Sequence, residues 1–174
     1  LAPVLDAANV DLKSFDDEIY KTLNTGRLEP IVRTLKTLKE EGVWFEVTHL
    51  VVPTYTDSMD RIRRMCDWLL ENLGPDYPLH FSRFSPQHKL THLPPTPIDV
   101  LLDARRVARE CGLHHVYLGN VRGLIDAETT FCPECRKTVI ERTAYFVGKI
   151  DLDEGNCGSC GAAIAGVWSG GSDG

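Results

Sequence analysis

Four of the six cysteines fall in two pairs, Cys132-Pro133-Glu134-Cys135 and Cys157-Gly158-Ser159-Cys160, with 21 residues between the pairs. Two Cys-x2-Cys knuckles separated by a β hairpin supply four thiolates, the tetrahedral donor set that zinc prefers. The hairpin strands are expected at Thr138-Val139-Ile140 and Ala144-Tyr145-Phe146-Val147. The second knuckle is followed by Gly161, which suits a left-handed turn that turns backbone amides toward sulfur; the matching position after the first is Arg136, where a side chain carries about 1 kcal/mol of strain. The same ligands can host an iron–sulfur or iron rubredoxin-like centre. Two disulfides or a redox dithiol are the competing readings. With cysteine in all four places the ion has no open position for water or substrate, so the expected role is structural, a staple for a segment too small to own a core. Cys66 and Cys111 stand alone on apolar helix faces and read as core residues.

A second set of chemistry-bearing residues sits at the ends of apolar stretches. In Ala8-Asn9-Val10-Asp11-Leu12-Lys13, the apolar and polar residues alternate, so Asn9, Asp11 and Lys13 share one face of a strand. Glu46 and Thr48 have the parity opposite to Val43, Phe45, Val47 and Val51. Arg83 closes a third apolar run, and His115, Tyr117 and Asn120 accompany a fourth. In parallel α/β folds chemistry gathers at the carboxyl ends of strands. Such a set suits an anionic or zwitterionic ligand. Asp11 and Lys13 also read as a local ion pair, and His80, His88, His92 and His114 as loop and surface residues.

These residues need elements to carry them. A strand over 8–13 is followed by helices from about Asp16 to Asn24 and Arg27 to Glu41, the latter stopped by Gly42. Val43 to Val52 reads as a buried strand ended by Pro53. A helix runs from Asp57 to Leu73, a strand from Leu79 to Phe84, and a Pro- and His-rich loop from Ser85 to Pro95. Thr96 is the expected N-cap of the next helix, with Pro97 at its first position and Gly112 as its stop. His115 to Gly119 is the fourth strand. This alternation predicts a parallel sheet with crossover helices, half of a barrel or a small doubly wound sheet. From about Thr129 the pattern changes to short hairpins. The expected boundaries are an α/β domain at 1–125, a ribbon at 126–168 and a flexible tail at 169–174.

Composition narrows the classes. The chain has 174 residues, 43% hydrophobic and 25% charged, which is ordinary for a globular protein and excludes a disordered chain or a coiled-coil rod. No apolar run approaches the ~18 residues that span a bilayer. The net charge of −6 argues against capture of nucleic acid, as does the ribbon segment 129–168, with 4 Lys+Arg against 5 Asp+Glu. Sparse cysteines at metal spacing point to a reducing, cytoplasmic setting. The opening Ala2-Pro3-Val4-Leu5 reads like the interior of a fold.

Several segments together carry a resemblance. Asp11-Leu12-Lys13, Val51-Val52-Pro53-Thr54-Tyr55-Thr56-Asp57, His80-Phe81-Ser82-Arg83-Phe84-Ser85-Pro86, Leu93-Pro94-Pro95-Thr96-Pro97 and Val116-Tyr117-Leu118-Gly119-Asn120-Val121 are joined by the Cys157…Trp168 ending. The chain resembles the second half of radical S-adenosylmethionine activating enzymes related to pyruvate formate-lyase activase. More closely, it resembles the radical enzyme of the AmmeMemoRadiSam system. The resemblance implies the C-terminal half of a six-strand partial (β/α) barrel carrying a small β zinc ribbon. It also implies a 4Fe–4S cluster that binds S-adenosylmethionine and cleaves it to methionine and a 5′-deoxyadenosyl radical. That radical abstracts hydrogen from a substrate such as a protein glycine. Asp11 and Lys13 match positions near the bound methionine; the family's strand-borne arginine falls at Thr48, its histidine near Ser85, and Arg83 stands in for the lost cation. The expected cofactor-binding set is Asp11, Lys13, Thr48, Arg83 and Asn120. The family's Cys-x3-Cys-x2-Cys motif does not occur in the sequence, so no catalysis is expected of the chain alone.

Two other functions compete. A zinc-ribbon interaction module on an α/β scaffold is the first. The second is an α/β-barrel lyase or aldolase using Lys13 as a Schiff-base amine, which Asp11 disfavours by keeping that amine protonated.

Overall fold

The computed structural model describes residues 4–168, so the tail expected at 169–174 lies outside the described residues. The chain divides between Val121 and Arg122 into two compact units. None of the helices is long and apolar enough to cross a membrane among the described residues.

The first unit runs β1 (Ala7–Asp11), α1 (Asp17–Asn24), α2 (Leu28–Glu40), β2 (Trp44–Val51), α3 (Met59–Leu73), β3 (Leu79–Arg83), α4 (Ile98–Glu110) and β4 (Val116–Gly119). The strands form one all-parallel sheet in the order β1-β2-β3-β4. This is the mixed α/β fold with a parallel sheet that the strand–helix alternation predicts. In β2, burial alternates strictly: Phe45, Val47, His49 and Val51 are buried, and Trp44, Glu46, Thr48 and Leu50 are half-buried. The register pairs Ala8 with Phe45 and Val10 with Val47, so the apolar residues of β1 share that buried face. His49 lines a small cavity with Ile62 and Met65 of α3, which identifies the buried face as the one the helices cover.

Helix periodicity supplies the other side of the core. α3 buries Ile62, Met65, Cys66, Leu69 and Leu73, and α4 buries Leu101, Ala104, Val107 and Ala108. Each larger side chain of this kind contributes about 1.5–3 kcal/mol by leaving water. Cys66 is fully buried among them, and desolvation pushes its thiol far up. Local chemistry sets the helix ends. Asp16 caps α1 by accepting from the N–H groups of Glu18 and Ile19 at 3.0 and 3.3 Å. Beyond α2, Gly42 takes the left-handed conformation (φ 70°) expected of its stop.

Thr96 departs from expectation. The N-cap residue of α4 is Pro97, and no side chain caps that helix. The Thr96 hydroxyl instead donates to the Val51 carbonyl at 2.5 Å and accepts from the Phe84 N–H at 2.9 Å. The Thr96 N–H donates to the Phe84 carbonyl, closing the neck of the 85–95 loop. A buried hydroxyl between two strand ends satisfies more backbone there than it would as a cap.

In the second unit, β5 (Thr130–Phe131), β6 (Thr138–Thr143) and β7 (Phe146–Ile150) form an antiparallel sheet, and β8 (Leu152–Asp153) pairs with β9 (Asn156–Cys157). The first hairpin lies further along than its apolar residues suggest. β6 continues to Thr143, and Ala144, which the sequence places in a strand, stands at φ 52° in the turn with Tyr145. The buried residues form a small cluster, Cys132, Val139, Ile140, Cys157 and Ile164.

Candidate functional site

The small core of the second unit includes Cys132 and Cys157, and the geometry shows what its cysteines can hold. The Cys132 and Cys160 Sγ atoms are 3.6 Å apart and those of Cys135 and Cys157 are 3.7 Å apart. All four sulfurs lie within 4.8 Å of one another, the only such convergence of ligating side chains among the described residues. A tetrahedral ion with Zn–S bonds of about 2.3 Å places its sulfurs about 3.8 Å apart. Disulfides need about 2.05 Å, and all four cysteines are free. The quartet therefore fits one tetrahedral metal ion such as zinc. It does not fit a four-iron cubane, which sets each thiolate outside its own iron and spreads the sulfurs further.

The two knuckles are built alike. The Arg136 N–H donates to the Cys132 carbonyl at 3.0 Å, and the Gly161 N–H to the Cys157 carbonyl at 2.8 Å. Both fifth residues are left-handed, Arg136 at φ 63° and Gly161 at φ 75°. The Ser159 N–H holds the Cys157 thiol down at about 7. The Cys160 thiol is drawn down by the Ala162 N–H, but the crowding thiols of Cys135 and Cys132 push it up to about 12. Asp151 braces the second knuckle: its carbonyl accepts from the Gly158 N–H at 2.9 Å and its carboxylate from the Ser159 hydroxyl at 3.0 Å.

On the parallel sheet, Asp11 ends β1 and its carboxylate pairs with Lys13 Nζ at 2.9 Å, both side chains partly exposed. The register sets Asp11, Thr48, His80 and Tyr117 in one row across the four strands. These residues have the parity opposite to the helix-covered face. The Thr48 hydroxyl donates to Asn9 Oδ1 at 3.0 Å, and His80 Nε2 meets Glu46 Oε2 at 3.0 Å. The His80 ring stacks on Tyr117 at 5.0 Å. Arg83 stands elsewhere. Its parity is that of Leu79 and Phe81, and its Nε donates to the Thr96 carbonyl at 2.8 Å, so it secures the loop neck. Asn120 follows β4 in a left-handed conformation (φ 60°) and its amide donates to the Arg83 carbonyl at 3.4 Å. The structure thus brings Asp11, Lys13 and Thr48 together and ties Arg83 to Asn120.

Sequence reasoning passed over His49 and Tyr20 here and read His80 as a loop or surface residue. His80 belongs to β3 and to the polar row rather than to a loop. His49 is buried and bonds to the backbone between Asp11 and Lys13, as does Tyr20. The parity of His49 with Val47 and Val51 was the available signal. Of the remaining histidines, His88 lies in a short 3-10 turn, His114 pairs with Asp76 at 2.9 Å, and His115 is buried just before β4.

No family model matches the sequence. An uncharacterized protein of Methanocaldococcus jannaschii is 44% identical over 162 residues, which is 92% of this chain and 48% of that protein. The chain spans about half the length of the curated relative it matches. Among solved structures, the crystal structure of a domain of pyruvate-formate lyase-activating enzyme from Bacteroides vulgatus is similar, with a TM-score of 0.58 at 16% identity. The match covers 68% of this chain and 70% of that one, and shows a shared fold.

Proposed function

We propose that the parallel sheet is the S-adenosylmethionine-holding part of a radical S-adenosylmethionine barrel, and that the second unit is its zinc ribbon. The observation that carries this is the Asp11–Lys13 pair at the carboxyl end of β1, on the polar face of an all-parallel sheet whose fold matches an activase domain. Lys13 Nζ suits the methionine carboxylate, and the Asp11 carboxylate suits the methionine ammonium. Thr48, one register position across from Asp11, adds a hydroxyl. Bound S-adenosylmethionine supplies the sulfonium that such enzymes cleave. Arg83 and Asn120 support this site through the loop neck rather than through direct charge.

The 4Fe–4S cluster of such enzymes has no fitting donor set here: the sequence lacks Cys-x3-Cys-x2-Cys, and the sulfur spacing of the one cysteine quartet suits a single ion. In this reading the cluster is held by sequence beyond these 174 residues, the chain alone does not cleave S-adenosylmethionine, and the whole protein generates a 5′-deoxyadenosyl radical in the cytoplasm. Within that class, the finer assignment is the AmmeMemoRadiSam radical enzyme, with a protein substrate and neither nucleic acid nor membrane as partner. The test is an amide-resolved NMR titration of this chain with S-adenosylmethionine. Shifts centred on Asp11, Lys13 and Thr48, abolished by Lys13→Ala with the zinc content unchanged, are expected. Silence at those residues at millimolar ligand overturns the reading.

A second reading has its own observation. Phe146 and Ile150 are exposed on β7, an edge strand of its sheet, and Tyr145 is exposed in the turn before it. An apolar edge of this kind favours a protein-binding role for the ribbon. If replacing Phe146 and Ile150 by Ser leaves self-association and the ribbon's amide shifts in a stoichiometric mixture with the rest of the protein unchanged, this second reading fails.

A further inference from the structure

We infer that Tyr20 and His49 are positioning residues that clamp the backbone of Asp11-Leu12-Lys13, so that both charged side chains leave the sheet at a fixed place on one face. The inference deepens the cofactor reading above and rests on it for its functional meaning.

Beyond Asp11 the β1–β2 pairing ends, with one further bond from the Leu12 N–H to the Thr48 carbonyl at 2.9 Å. Side chains take the neighbouring backbone groups. The Tyr20 hydroxyl donates to the Asp11 carbonyl at 3.3 Å and accepts from the Lys13 N–H at 3.0 Å. One phenol thus bridges the two residues of the ion pair. His49 Nδ1 lies 2.7 Å from the Leu12 carbonyl. A carbonyl only accepts, so this nitrogen carries the hydrogen, which sets the tautomer of the ring.

Both side chains come from the core. Tyr20 is the only buried residue of α1, whose start is set by the Asp16 cap. His49 is buried in the middle of β2 with its ring edge-on to Phe81. The Leu12 side chain between the two charges is fully buried, which drives Asp11 and Lys13 to the opposite face. The Lys13–Asp11 bridge itself is partly exposed and weak as a restraint. The rigid part of the site is therefore the backbone, held at three successive residues.

Packing by itself does not call for these polar atoms. Position 49 alternates with Val47 and Val51, where an apolar side chain fills the space without burying an imidazole. Phe in place of Tyr20 keeps the ring and loses only the hydroxyl. The Tyr20 hydroxyl and His49 Nδ1 are both spent on the one tripeptide that carries the ion pair.

The experiment uses this chain with Tyr20→Phe, His49→Leu and His49→Gln, a Gln amide being able to donate to the Leu12 carbonyl. Hydrogen exchange at the Lys13 amide reads the clamp directly. It is expected to quicken about three- to tenfold in Tyr20→Phe, the effect of one lost hydrogen bond, with exchange in β3 and β4 unchanged. S-adenosylmethionine affinity, read by the NMR titration, is expected to fall severalfold in Tyr20→Phe and His49→Leu and to recover in His49→Gln. If His49→Leu does not fold, Tyr20→Phe and His49→Gln carry the test. Unchanged Lys13 exchange and unchanged affinity in Tyr20→Phe, while Lys13→Ala loses binding, overturn the positioning role. Unchanged affinity in Lys13→Ala overturns the cofactor reading instead, and the exchange rates then still decide whether the clamp exists.

Discussion

Replacing Gly161 by Ala and Arg136 by Gly exchanges the chemistry of two turns that hold one cysteine quartet. Both positions are left-handed and donate their N–H to the carbonyl four residues back. A Cβ built on Gly161 meets nothing within 4 Å, so Ala there adds backbone strain and no clash. A side chain in that conformation costs about 1–2 kcal/mol. Glycine's greater freedom in the unfolded chain returns about 0.5–1 kcal/mol of this. The net for Gly161→Ala is a loss of about 0.5–1 kcal/mol, and Arg136→Gly gains about the same. In so small a unit the free energy of metal binding is folding free energy. At about 1.4 kcal/mol per tenfold, zinc binding weakens about two- to fivefold in the first variant and tightens about two- to fivefold in the second. The double variant returns close to the parent. Competition against a chromophoric chelator, at one fixed pH because binding releases thiol protons, measures all four affinities. Single variants that move the affinity in the same direction would refute the reasoning, because the turns would then not be equivalent.

Elemental analysis of the purified chain should show close to one zinc per molecule; Cys132→Ser should abolish it and unfold the second unit, and stoichiometric disulfides instead of metal would sink the claim. Burial lowers the pKa of His49 and His115 from the ordinary value of 6.5. The unfolded chain then binds more protons than the folded one, so stability is full above about pH 6.5 and falls below it, by at most about 1.4 kcal/mol per pH unit for each ring. Urea midpoints of the parent and His49→Gln, followed at β2 and β3 from pH 7.5 to 5.5, should converge as pH falls; parallel lines would contradict the assignment. Gly155→Ala should disrupt the ribbon's end, since its Cβ would stand 2.5 Å from Trp168 Cδ1 at a φ of +84°, and a retained Trp168 fluorescence spectrum would argue otherwise. Thr96→Val leaves the Val51 carbonyl and the Phe84 N–H without their hydroxyl partner, and should cost about 2–4 kcal/mol in thermal or chemical unfolding.

Spacing and periodicity are properties of neighbouring residues, and what depends on them was legible without coordinates. The 3.6-residue rhythm of Ile62, Met65, Cys66, Leu69 and Leu73 places a helix there. The alternation through 44–51 makes a strand and divides its residues between two faces. Two Cys-x2-Cys pairs at hairpin distance announced a metal quartet, and the left-handed turns at Arg136 and Gly161 follow from the knuckles themselves. What failed was non-local. Thr96 has the composition of a cap and acts as a tie between the ends of β2 and β3, 45 and 12 residues away. What the Arg83 guanidinium meets, a carbonyl 13 residues on, is likewise set by the fold and not by neighbours in sequence.

The residues that hold Asp11 and Lys13 show the division most plainly. Their parity, and so their shared face, follows from alternation along one strand. That His49, 37 residues from Leu12, and Tyr20, in the next helix, close on the backbone between them follows from strand register and the phase of α1. Register depends on which strands pair and where a helix starts, and a side chain reaches a distant carbonyl only once both are set. The chain therefore declares by itself which residues are able to do chemistry, and the tertiary structure decides which polar atoms meet, because hydrogen bonds act over 3 Å while the sequence orders residues only along the chain.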